Sequence, residues 1–106
     1  MFIAWTTVGT SAEAERLAAQ AVAAGLAACV QIDGPVVSHF RWEGKMERVE
    51  EFRLTFKFAA AQLGALEALV LGAHPYDTPE WIIVRAERVG EKYLSWVRGA
   101  VHLPPL

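Results

Sequence analysis

Trp81-Ile82-Ile83-Val84 places four apolar residues in a row, so a strand built from them has no polar face. Successive side chains of an extended chain point to opposite sides: Trp81 and Ile83 face one way, Ile82 and Val84 the other. Val36-Val37 and Phe2-Ile3-Ala4-Trp5 repeat the pattern. A sheet made of such strands must be covered on both sides, because a bare apolar face exceeds the few hundred Å² that monomers usually expose. With 54% of its 106 residues hydrophobic, a single domain of this size carries more apolar material than one core hides. The pattern predicts a domain that self-associates.

The remaining elements follow from period and punctuation. Phe2 to Val8 reads as a strand. Thr10-Ser11-Ala12-Glu13 has the spacing of a capping box. Ala14, Leu17, Ala18, Ala21, Val22 and Gly25 then form one stripe of an alanine-rich helix. Ala28 to Ile32 and Val36 to Trp42 are extended, with Asp33-Gly34-Pro35 either a strand end or a bulge within one longer strand. Glu43-Gly44-Lys45 reads as a hairpin turn. The return strand, about Met46 to Phe58, sets Phe52, Leu54, Phe56 and Phe58 on one face and Glu51, Arg53, Thr55 and Lys57 on the other.

A second helix spans roughly Ala60 to Ala73, its stripe made of Leu63, Leu66, Leu69, Val70 and Ala73, and His74-Pro75 stops it. Tyr76 to Pro79 is loop, Trp81 to Val84 a strand, and a short helix starts near Glu91 with Tyr93, Trp96 and Val97. The Leu103-Pro104-Pro105-Leu106 tail cannot be helical throughout. The order β-α-β-β-α-β plus a terminal helix predicts an α+β, ferredoxin-like domain over 1–106, with both main helices on one sheet face. The terminal helix is too short to cover four strands, so the second face is left for another copy.

Composition and motifs exclude several functions. A net charge of −2 without basic clusters argues against nucleic-acid binding, which needs cations to displace counterions from phosphates. No apolar run approaches the roughly 20 residues that span a bilayer, and Met1 to Thr7 lacks the basic start of a signal peptide. The cytoplasm is the expected compartment. Cys29 is the only cysteine, which rules out an intrachain disulfide. His39, His74 and His102 show no zinc-ligand spacing. Ser38 and His39 are adjacent and so point to opposite faces, and no Walker-type phosphate loop occurs. Nothing points to an enzyme or a required cofactor.

Two polar groups stand out: Arg41, Trp42, Glu43 and Lys45 at the hairpin tip, and the His74-Pro75-Tyr76-x-x-Pro79-Glu80 loop, restricted by two prolines. These segments resemble the CutA family of divalent-cation-tolerance proteins. The likeness also runs through Gly25-Leu26-Ala27-Ala28-Cys29-Val30, Ser38-x-Phe40-Arg41-Trp42-Glu43-Gly44-Lys45, Glu51-Phe52-x-Leu54-x-x-Lys57 and Tyr93-Leu94-x-Trp96, in the family's order and across nearly the whole chain. Departures include Gln31 where asparagine is usual, Phe40 for tyrosine, Gly9 for proline and Trp81 for an aliphatic residue.

The resemblance implies a PII-like homotrimer with clefts between subunits, lined by Trp42, Lys45, Glu51, Lys57, His74, Tyr76 and Glu80. It implies a non-enzymatic role in tolerance of copper and other divalent cations. Cys29 and His74 would be the soft and intermediate donors suited to weak copper binding. The alternative is a PII-like sensor that binds a small anion or nucleotide, with Arg41, Lys45 and Lys57 neutralising charge and Trp42 stacking on a ring.

Overall fold

The computed structural model describes residues 1–102, with side chains to Ala100; the expectation for the Leu103–Leu106 tail lies outside the described residues. The strands are β1 (Phe2–Val8), β2 (Cys29–Trp42), β3 (Lys45–Phe58) and β4 (Ile82–Arg85), and the helices are α1 (Ser11–Ala23), α2 (Leu63–Ala73) and α3 (Glu91–His102). They form a four-stranded antiparallel sheet in the order β2-β3-β1-β4. That is the ferredoxin-like arrangement the element order predicts.

Register assigns the two faces. Phe2, Ala4, Thr6 and Val8 stand opposite Phe58, Phe56, Leu54 and Phe52, and this side receives α1 and α2. Ala14, Leu17, Ala18 and Ala21 of α1 and Leu66 and Val70 of α2 are buried against it. The small α1 residues let that helix sit close. Phe2 stacks on Phe58, centroids 5.9 Å apart, and Trp81 meets Phe56 edge-on at 5.7 Å. The Thr10 hydroxyl caps α1 by accepting the Glu13 amide at 3.2 Å, which satisfies one of the amides left over at a helix start.

Several boundaries differ from the sequence expectation. Val22 is 47% exposed: at 100° per residue it stands about 80° from Ala14 around the helix, at the edge of the buried stripe. Residues Ala60–Gln62 form a 3₁₀ turn before α2, and Ala73 is exposed where the chain becomes extended at His74. Strand β4 opens at Ile82, because Trp81 turns into the helix-side core and its indole N–H donates to Glu67 Oε1 at 3.0 Å.

The opposite face is partly covered. Helix α3 lies against the end of β3, with Val97 fully buried and Lys57 Nζ 5.6 Å from the Tyr93 ring centroid. It leaves Ile82 and Val84 half exposed beside the partly buried Ile3 and Trp5. The apolar second face is therefore present as the sequence pattern requires.

Strand β2 runs unbroken through Asp33-Gly34-Pro35, which forms a bulge where the β2–β3 register shifts between Asp33 and Val36. Asp33 and Arg53 pair across it at 2.8 Å, an exposed contact worth about 1 kcal/mol or less. Beyond the bulge the hairpin extends past the end of β1 to a two-residue turn. Glu43 and Gly44 both have positive φ there, 49° and 79°, as a type I′ turn demands.

Gly34, at φ 154°, is the tightest point of the bulge: an added Cβ would lie 2.8 Å from Phe52 Cδ1 and 3.0 Å from the Glu51 carbonyl oxygen. Gly34→Ala is expected to cost about 1–3 kcal/mol through overpacking. Urea unfolding at a fixed protein concentration checks this; an unchanged midpoint would show that the bulge is soft.

Candidate functional site

The hairpin overhang and the loop from His74 to Glu80 enclose a cavity of about 970 Å³ at the end of β1. Its wall carries three aromatic rings, Phe40, Trp42 and Tyr76, and three carboxylates, Glu51, Asp77 and Glu80. No Lys or Arg lines it among the described residues.

The loop is held by a hydrogen-bond relay centred on Thr6, a fully buried residue. The Thr6 hydroxyl donates to the Glu80 carbonyl at 2.6 Å and lies 2.9 Å from His74 Nε2. The Tyr76 amide donates to His74 Nδ1 at 3.1 Å. One hydroxyl has one proton, and it goes to Glu80; Nδ1 is an acceptor. His74 is thereby a neutral imidazole that carries its proton on Nε2 and donates it to Thr6. Both ring nitrogens are engaged. Burial lowers the His74 pKa below its ordinary 6.5, against the opposing pull of the Thr7 backbone and the charges of Glu13 and Glu51.

From the same loop the Tyr76 hydroxyl donates to Glu51 Oε2 at 2.8 Å. Burial, the bond to Glu51 and that residue's charge push the phenol up to about 12, so it is a donor at any ordinary pH. Glu51 is 7% exposed, and Tyr76 is its sole hydrogen-bond partner among the described residues.

One chain gathers only part of the expected cleft. Trp42, Glu51, Tyr76 and Glu80 line the cavity and His74 braces its loop. Lys45 sits at the hairpin turn opposite Trp42, outside the lining, and Arg41 points its guanidinium at Met46 Sδ, 3.9 Å away. Lys57 lies near the other end of β3, beside Cys29 in the ladder and under Tyr93. Cys29 shares the face of Lys57, whereas His74 bonds Thr6 on the helix side. Within one chain the two expected copper donors therefore stand on opposite faces of the sheet. No cluster of three His, Cys, Asp or Glu arranged to hold a metal ion occurs among the described residues. Thr6 escaped the sequence reading; its one signal is a hydroxyl on the inward side of an otherwise apolar alternation.

Because the folded pKa of His74 lies below 6.5, the unfolded chain binds the extra proton first as pH falls. Stability is then lost from about pH 6.5 down to the lowered folded value, and is fully present above that window. Thermal unfolding between pH 7.5 and 5 should show this decline, and Thr6→Val, which removes both partners, should lower stability by about 1–3 kcal/mol. A Thr6→Val melting temperature equal to that of the wild type would mean that the relay is dispensable.

Comparison with known proteins gives this geometry a family. Residues 2–100 match the model of the CutA1 divalent ion tolerance protein. The divalent-cation tolerance protein CutA of Yersinia pestis is 36% identical over 95 residues, covering 90% of this chain and 80% of its own. Among solved structures, CutA1 from Ehrlichia chaffeensis superposes with a TM-score of 0.92 at 24% identity over 96% of this chain and 95% of that one. CutA from Archaeoglobus fulgidus, described as a periplasmic divalent cation tolerance protein, gives 0.91 at 33% identity, over 96% of this chain and 100% of that one. With the family model matching residues 2–100 of the chain and the ferredoxin-like sheet reproduced, this chain belongs to the CutA1 divalent ion tolerance family.

Proposed function

We propose that the chain serves divalent-cation tolerance as a non-enzymatic, cytoplasmic homotrimer that binds cations instead of transforming a substrate. The observation that carries this reading is the family match over residues 2–100, and a cavity wall with three acidic residues and no Lys or Arg among the described residues is in keeping with it. Within one chain the cations of the anion reading, Arg41, Lys45 and Lys57, lie outside this wall. The half-exposed Ile82 and Val84 support assembly through the sheet face. The free Cys29 thiol fits a reducing compartment.

Copper binding belongs to this reading as a weak property of the assembled trimer, with Cys29 the soft donor. His74 can join only by releasing the Tyr76 amide from Nδ1 or its own proton from Nε2. A site using both residues draws them from different copies.

Light scattering at micromolar concentration is expected to return three times the 11.6 kDa chain mass. Calorimetry with cuprous and cupric ions should show weaker heats for Cys29→Ala and His74→Ala than for wild type. A monomer would sink the assembly, and identical heats across the three proteins would sink direct copper binding by these residues.

A further inference from the structure

We infer that a notch at the end of the sheet remote from the hairpin binds a small monocarboxylate, with Arg85 and Arg98 as its counter-charges and an apolar wall for its hydrocarbon part. The notch has a volume of about 350 Å³ and lies between the end of β4, the start of β1, the turn at Ala60 and helix α3. The proposed assembly leaves it on the free side. Arg85 pairs with Phe2 in the β1–β4 register and alternates with Ile82 and Val84, so the copy that covers those two residues sits on the other side of the sheet.

Arg85 is held over the Phe2 ring, its Cζ 5.4 Å from the centroid. Phe2 in turn stacks on the fully buried Phe58, so the guanidinium has a fixed platform. A guanidinium over a ring keeps the N–H groups of its edge for an acceptor. The fold supplies none: among the described residues neither Arg85 nor Arg98 has an ion pair or a hydrogen bond to a side chain. Glu87 lines the same notch and stands beyond salt-bridge reach of both. Arg98 follows Leu94 by one turn of α3 and shares its side of the helix, and Val97 anchors that helix by full burial. The Ala86 amide donates to the Met1 carbonyl at 3.0 Å, which pins the strand end that carries Arg85. Two cations from different elements thus flank one hollow.

Charge and wall together define the ligand. Arginine forks pair with carboxylate and phosphate oxygens alike. The charged side chains of the notch are two arginines and one glutamate, a net of one positive charge, which matches a monoanion and leaves a dianion uncompensated. The remaining lining, Met1, Phe2, Ala60, Ala86, Val89 and Leu94, is apolar. An inorganic anion gains nothing from such a wall, whereas a hydrocarbon chain leaves water on meeting it. At about 350 Å³ the space is at the lower end of small-molecule sites, which limits the chain to a few carbons. The stacked Arg85 and the anchored α3 set both cations before any ligand arrives.

The test uses the full-length assembled protein with hexanoate as probe. Hexanamide, its uncharged counterpart, and inorganic phosphate are the controls. Titration calorimetry gives the affinities, and the backbone amide resonances of Ala86 and Leu94 report the place. Hexanoate should shift both resonances saturably, and hexanamide and phosphate should bind roughly tenfold or more weakly. Arg85→Ala and Arg98→Ala should each weaken hexanoate roughly tenfold. Arg85→Lys, which keeps the charge and loses the fork, should weaken it several-fold. Glu87→Gln removes a like charge and should tighten it roughly twofold or more. Arg16→Ala takes the same charge from an exposed position of α1 and should leave the affinity unchanged. Should Arg85→Ala fail to fold, Arg98→Ala and the hexanamide comparison decide the question. Equal affinity for hexanoate and hexanamide, phosphate binding as tight as that of hexanoate, or no saturable shift at tens of millimolar overturns the proposal. So does an Arg16→Ala loss equal to that of Arg98→Ala, or a saturable shift of the Tyr76 amide with none at Ala86 and Leu94, which places the anion beneath the hairpin.

Discussion

The antiparallel register between β1 and β3 decides which side of the sheet every group of the site occupies. With Thr6 opposite Leu54 and Val8 opposite Phe52, the apolar side of β3 meets the helices and Thr6 enters that core as a buried hydroxyl. A slip of β3 by one residue against β1 would turn β3 over, placing Arg53 or Thr55 opposite Thr6 and burying Arg53 and Lys57 beneath α1 and α2. The three fully buried β3 residues Leu54, Phe56 and Phe58 make that slip prohibitively costly, since each contributes about 1.5–3 kcal/mol by burial. The core holds the register, and the register holds the relay. From Thr6 the chain reaches His74 and the Glu80 carbonyl, and through His74 the Tyr76 amide.

How much of this was legible in the sequence depends on the range of the interaction. Local chemistry read well: the Thr10 cap, the turn at Glu43-Gly44 and the period-two pattern of β3 all depend on neighbours within a few residues. The Asp33-Gly34-Pro35 bulge was legible as one of two options, because punctuation marks a break in pairing without saying whether the partner strand continues. Contacts over tens of residues did not read. Thr6 finds His74 across 68 positions and Trp81 finds Glu67 from a loop; neither residue belongs to a motif that predicts its partner. Lys57 is a different case. Family resemblance groups it with Glu51 in a cleft between subunits, and within one chain six residues of strand separate the two, about 20 Å at 3.4 Å per residue.

The state of His74 shows how closely fold and chemistry are bound. A histidine in a motif is an obvious donor for a transition metal, and only the hydrogen-bond directions reveal what this one does. Its Nδ1 lone pair is spent on the Tyr76 amide and its Nε2 proton on Thr6, so its present work is to shape the loop that carries Tyr76. Protonation at Nδ1 would set donor against donor at the Tyr76 amide, which is why desolvation and geometry both favour the neutral ring. Recruiting His74 to a cation has a structural cost that Cys29, half-buried in a strand and without such bonds among the described residues, does not incur.

The cleft and the bare sheet face are also parts of one surface. Thr7 shares its side of β1 with Ile3 and Trp5, which pair with Val84 and Ile82. Glu51 shares its side of β3 with Arg53, and Val36, paired with Glu51, sets the same side for Ser38, Phe40 and Trp42. The cavity is thus the polar continuation of the apolar face, beginning where β1 ends and the hairpin overhang starts. A second copy seated on Ile82 and Val84 would form the rim of the cavity without having to supply its floor. In the proposed assembly labour is divided by position: continuous apolar strands drive association, while the buried Glu51 carboxylate, just beyond the last β1 pair, keeps the end of that face from closing as another layer of core. In the proposed assembly, strands with no polar face, the feature that first marked the sequence, account for both the association and the place where it stops.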